Sequence, residues 1–126
     1  AANGAGVLNG EPLRARIEFA AENVEVGPSE PMARVIVRRS RTMRGDVTFS
    51  WWTESGTAKP GRDFVPVARE VGHIDNGQNA VSLVVPILAD PRRRDARSFY
   101  VVIDEPSENA TLGARSLAMV TLPIYP

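Results

Sequence analysis

The chain has 126 residues, enough for one domain with a real core, and its 15 basic and 15 acidic residues cancel. That balance gives no global pull toward nucleic acid or membrane, and an apolar content of 43% is that of a globular chain. The lack of cysteine excludes disulfides, thiol catalysis and Cys-ligated metals, and a single histidine, His73, excludes zinc sites built on two or more. No apolar run is long enough to span a bilayer, and AANGAGVLNGEPL shows no secretory signal.

Residues 1–13 are small, polar and Gly-rich and read as a flexible leader or linker; one domain is expected over 14–126. From there short apolar runs alternate with turn signals. Arg16 to Phe19 and Val24 to Val26 alternate before Gly27-Pro28. Met32 to Arg38 carries Val35 and Val37 and meets a turn at Ser40 to Gly45. Val47, Phe49 and Trp51 alternate with Thr48, Ser50 and Trp52, and a loop follows over Gly56 to Asp63. Val65 to Ile74 is a weaker strand region, turned by Asp75-Asn76-Gly77. Val81 to Leu88, Phe99 to Ile103 and Leu117 to Leu122 complete the strands. Period-two alternation at this spacing predicts an all-β, immunoglobulin-like antiparallel sandwich of about seven strands with Greek-key connections. Pro86 interrupts a strand and belongs at a sheet edge or bulge, because it has no N–H to give a ladder.

In an antiparallel sandwich alternate loops fall at one end. The loops at Gly27–Pro31, Gly56–Asp63 and Asp90–Arg97 then share a tip with Glu30, Asp63, Asp90, Arg92, Arg93, Arg94, Asp95 and Arg97. The arginine-rich turn with Arg38, Arg39, Arg41 and Arg44 goes to the opposite end, where it could offer a basic patch. Trp51 and Trp52 are adjacent and face opposite sides of a strand. Alternation with Val47 and Phe49 assigns Trp51 to the core and Trp52 outward, where it is a candidate for partner contact.

Thr53, Gly56-Thr57-Ala58, Gly61 and Asp63-Phe64 stand in TESGTAKPGRDFVPV at the spacing of a known signature. The chain resembles the Calx-beta domain, a sandwich module of sodium/calcium exchangers, an integrin subunit and many bacterial surface proteins. The resemblance runs over residues 16–122, with Asn76-Gly77-Gln78 and Ala110-Thr111-Leu112-Gly113 among its flanking matches. Read on their own, Gly56 and Gly61 permit backbone angles closed to other residues, Thr57 and Asp63 can bond nearby amides, and Ala58 and Phe64 are apolar pins.

The resemblance implies a calcium site at the tip, built from acids. Carried over position by position, the opening Glu falls on Pro28 with Glu30 near, and the acid before the aromatic is Asp63. The expected acid pair is Asp90 followed by Pro91, and later acidic positions fall among Arg94, Asp95 and Ser98. The end, Pro123-Ile124-Tyr125-Pro126, has no acid. Four arginines share the tip, and like charge repels a divalent cation. The expectation is a lost metal site with no cofactor, an arginine of Arg92–Arg97 forking onto Asp63 or Asp90 in its place. If calcium does bind, its ligands are Glu30, Asp63, Asp90 and Asp95.

No nucleophile–base pair or phosphate loop points to catalysis. The functional expectation is a non-enzymatic structural or interaction module of a larger envelope or cell-surface protein. It is expected outside the cytoplasm, bacterial in type, with an adhesive role among the possibilities. Its partners would be other domains of its parent or another protein, with no nucleic acid and no direct membrane insertion, and the isolated domain would be monomeric. The alternative is a calcium-binding module with a reduced acidic site.

Overall fold

The structure, a computed structural model, describes residues 7–8 and 11–124. Their strands are β1 (Val7–Leu8), β2 (Glu11–Pro12), β3 (Ala15–Phe19), β4 (Asn23–Glu25), β5 (Met32–Ser40) and β6 (Val47–Ser55). β7 (Glu70–Ile74), β8 (Ala80–Pro86), β9 (Arg97–Asp104), β10 (Ala110–Leu112) and β11 (Leu117–Leu122) follow. β1 and β2 pair as a two-residue antiparallel ladder within the expected leader, of which residues 1–6 and 9–10 lie outside the described residues. Tyr125 and Pro126 lie outside them too.

The other strands form two sheets, β10-β3-β5-β8 and β4-β11-β9-β6-β7. Both fold one apolar face inward, because alternate residues of a strand point to opposite sides. In β5 the alternation is strict: Ala33, Val35 and Val37 are buried, and Met32, Arg34, Ile36 and Arg38 are exposed. Phe19, Phe49, Phe64 and Phe99 are the largest side chains fully enclosed between the sheets, and Phe64 stacks on Phe99 with ring centroids 4.0 Å apart. The result is an all-β, immunoglobulin-like sandwich.

Three details differ from the sequence-based expectation. Among the described residues the sandwich has nine strands, because the opening segment splits: β3 joins one sheet, the chain crosses at Ala20 to Glu22, and β4 joins the other. Both halves then run alongside strands from the C-terminal part of the chain, so β10–β3 and β11–β4 are parallel pairs in an otherwise antiparallel fold. The weak strand region begins its ladder only at Glu70. Before it, Val67 trades hydrogen bonds with Thr53, donating to Oγ1 at 2.9 Å and accepting from the Thr53 N–H at 3.0 Å. Pro86 ends the edge strand β8, and its carbonyl accepts from the Val65 N–H at 3.0 Å.

Candidate functional site

Three loops meet at one tip and are stitched by main-chain hydrogen bonds. The Ile87 N–H donates to Pro31 O at 2.8 Å, the Leu88 N–H to Asp63 O at 2.9 Å, and the Ala58 N–H to Ser98 O at 2.8 Å. Gly61 has φ +82°, a conformation that L side chains rarely adopt. Gly56 is needed for a different reason from the one its motif suggests. Its φ is unexceptional, but a Cβ there would stand 2.5 Å from Ser98 O. Thr57 Oγ1 accepts from the Ser98 N–H at 2.8 Å, and Ala58 and Phe64 are buried.

Asp63 is fully buried at the centre of this cluster. Its Oδ2 accepts from the Lys59 N–H at 2.8 Å. Its Oδ1 accepts from Arg93 Nε at 3.1 Å and from Nη2 at 2.9 Å, so two edges of one guanidinium close on one oxygen. Arg93 is itself 2% exposed, and its remaining donors reach Leu88 O at 3.2 Å and Pro123 O at 3.3 Å. Arg97 Nη1 approaches Oδ2 at 3.4 Å from the rim. Burial alone would raise the Asp63 pKa. The Lys59 amide, the Arg93 hydrogen bonds and the charges of Arg93 and Arg97 outweigh it and hold the carboxyl below the ordinary aspartate range.

The rest of the tip is organised differently. Asp90 turns to the Arg92 N–H at 3.0 Å and faces Arg62, 3.7 Å away, not an arginine of its own loop. Glu30 caps its own turn by accepting from the Gly27 N–H at 3.0 Å. Arg92, Arg94 and Asp95 correct the expectation of a wholly ion-paired loop. Their side chains are exposed, and none makes an ion pair or side-chain hydrogen bond among the described residues. In water such pairing is worth only about 0–1 kcal/mol, against the entropy of two long side chains.

At the opposite end Arg39 is the second correction. It is 3% exposed and so presents no basic patch. It stands in the inward register of Val35 and Val37, and its guanidinium donates to the carbonyls of Thr42 at 2.8 Å, Asp75 at 3.5 Å and Arg44. Burial lowers its pKa, and the charge of Asp46 opposes that. Arg38, Arg41 and Arg44 remain exposed. Strict alternation along Met32–Ser40 was the available signal for the inward Arg39.

Trp51 is core at 5% exposure, and Trp52 faces outward. Trp52 is nevertheless half-buried, because Arg69 lies over its ring, 5.0 Å from the centroid, and is held there by Glu105. No local pattern announces a residue seventeen positions away as the cover.

The Calx-beta domain family model matches residues 13–123. The chain belongs to the Calx-beta family. Among solved structures it is similar to the apo-form Calx CBD1 domain, at 21% identity and a TM-score of 0.81, over 90% of this chain and 99% of that one. It is also similar to the calcium binding domain CBD12 of CALX1.1, at 22% identity and a TM-score of 0.80, over 86% of this chain and 45% of that one. A third likeness is to the Calx CBD2 domain, at 21% identity and a TM-score of 0.79, over 86% of each chain. At such identities the likeness is one of fold.

Calcium takes six to eight oxygen ligands, several of them charged. The tip acids of this Calx-beta domain do not fit that demand as arranged. Both Asp63 oxygens are taken by N–H donors, three of them from the guanidiniums of Arg93 and Arg97, and Glu30 is turned onto its own loop. Among the described residues no three His, Asp or Glu side chains gather as a metal cluster.

Proposed function

We propose that this Calx-beta domain is a non-catalytic structural and protein-interaction module of a larger envelope or cell-surface protein, acting outside the cytoplasm. In it a guanidinium stands where a metal would: it neutralises the tip carboxylate and ties the Asp90–Arg97 loop to Asp63, to Leu88 and to the chain end at Pro123. The observation that carries this reading is the buried fork of Arg93 on Asp63. A divalent ion would have to displace that cation or sit beside it, and unit like charges at 4 Å repel by about 4 kcal/mol even at an effective dielectric of 20. The tip would then be rigid at any calcium level, and the module would present its surfaces constitutively.

Calorimetry with millimolar calcium should give no stoichiometric heat, and the melting temperature should not move. A one-site isotherm would overturn the reading, because a ligand at 100 times its Kd adds about 2.7 kcal/mol to stability. The second reading is a reduced calcium site on the rim, favoured by the exposed Asp95 on the loop that also carries Asp90. It requires calcium-dependent stabilisation that Asp95→Asn abolishes.

A further inference from the structure

The outer faces of the two sheets carry opposite charge. On the four-stranded sheet β3 and β5 turn out Arg16, Arg34 and Arg38, with Ile36 exposed between Arg34 and Arg38 at 41% and Met32 exposed at the start of β5 at 39%. Register places Ser82 and Val84 of β8 beside Ile36 and Arg34, and Glu18 of β3 opposite Arg38. Glu18 is the one acid on the strands of this face among the described residues, and its carboxylate accepts from the Arg115 N–H at 3.3 Å.

The five-stranded sheet shows the reverse. Its outward residues include Glu25, Glu54 and Asp104, all exposed. Between them runs an apolar band fixed by register: Trp52 beside Val102, Val102 beside Leu117, and Tyr100 beside Met119. Leu117 is 50% exposed. The cation lying over this face, Arg69, is paired with Glu105. The chain is neutral as a whole, yet its two faces are not.

We propose that the arginine face of the four-stranded sheet docks on the acidic, apolar-banded face of the five-stranded sheet of a second copy of this chain. The argument is charge complementarity combined with apolar residues at the middle of both faces, the arrangement that steers two surfaces together and fixes their register. The contact is head-to-tail, so it propagates and does not close as a twofold dimer. Its size sets its strength. Strands of three, five, nine and seven residues at about 3.3 Å per residue and about 4.8 Å spacing make a face on the order of 380 Å², below the roughly 800 Å² per partner of a stable complex. Association between free domains is therefore weak and salt-sensitive, and it becomes substantial where copies are tethered and their effective concentration is high. This inference rests on the interaction-module reading above but not on the calcium part of it, which calorimetry decides separately.

Sedimentation of the purified domain at high concentration tests it. At low ionic strength the average mass should rise above the 13.7 kDa monomer with concentration, and it should return to monomer in molar salt. Arg34→Glu with Arg38→Glu should abolish the rise, as should Glu54→Lys with Asp104→Lys, and mixing the two double variants should restore it. All four residues are exposed, and circular dichroism melts verify folding. A wild-type domain that stays monomeric at low salt, with no heavier species in the variant mixture, overturns the proposal. So does a monomer whose arginine face instead binds poly-glutamate or phosphatidylserine vesicles, since the occupant would then be another molecule.

Discussion

Two buried arginines anchor opposite ends of this sandwich, and what neutralises them differs. Arg39 is satisfied by backbone carbonyls, whereas Arg93 meets the charge of Asp63. A buried charge robbed of its counter-charge is more costly than a broken surface pair, typically by 3–5 kcal/mol. Arg93→Met should therefore destabilise the domain by about 3–5 kcal/mol in denaturant titrations, and adding Asp63→Leu should recover part of the loss. A double variant no better than the single one would mean the fork is not the source. The pH dependence has a defined sign. Asp63 titrates lower in the folded state, so its contribution is present above its unfolded pKa near 3.9 and is lost as pH falls through the folded value. Asp63→Asn should flatten the acid limb of the stability profile below about pH 4.

At the scale of elements, the motif loop shows how far a residue type carries an argument. Thr57, Ala58 and Phe64 act as their types suggest: one hydroxyl accepts an amide hydrogen bond and two apolar groups are seated in the core. Gly56 and Gly61 look alike in sequence and act differently. Gly61 needs its left-handed φ, but a Cβ there would meet nothing within 4 Å, so Gly61→Ala should cost about 1 kcal/mol from backbone strain alone. Gly56→Ala would drive a methyl into Ser98 O and push β6 from β9 at the tip, so its cost should be larger, about 2–3 kcal/mol. Thermal melts of the two variants check the order. The strand pattern was legible because alternation is local; the split of the opening strand was not, because each half finds its partner only at the far end of the chain.

At the scale of the molecule, that split ties the two sheets into one unit. β3 and β4 are three residues apart yet lie in different sheets, and each is paired with a strand from the C-terminal part of the chain. Neither sheet can open without pulling on the other. Tryptophan fluorescence, which reports on Trp51 and Trp52 in the five-stranded sheet, should therefore track far-UV circular dichroism through a single denaturant transition. Separated midpoints would show that the sheets unfold independently.

The sequence by itself determined the all-β class, the inward and outward residues of most strands, the family and the gathering of three loops at one tip. These rest on alternation, turn residues and strand parity, which are local or follow from the antiparallel rule. Only the tertiary structure decided which arginine of Arg92, Arg93, Arg94 and Arg97 is enclosed with Asp63, that Arg39 points inward, and that Arg69 covers Trp52. The physical reason is common to all three. A guanidinium on a flexible stem has no preferred partner in sequence, and its burial depends on which carbonyls, carboxylates and rings the packed strands bring within reach.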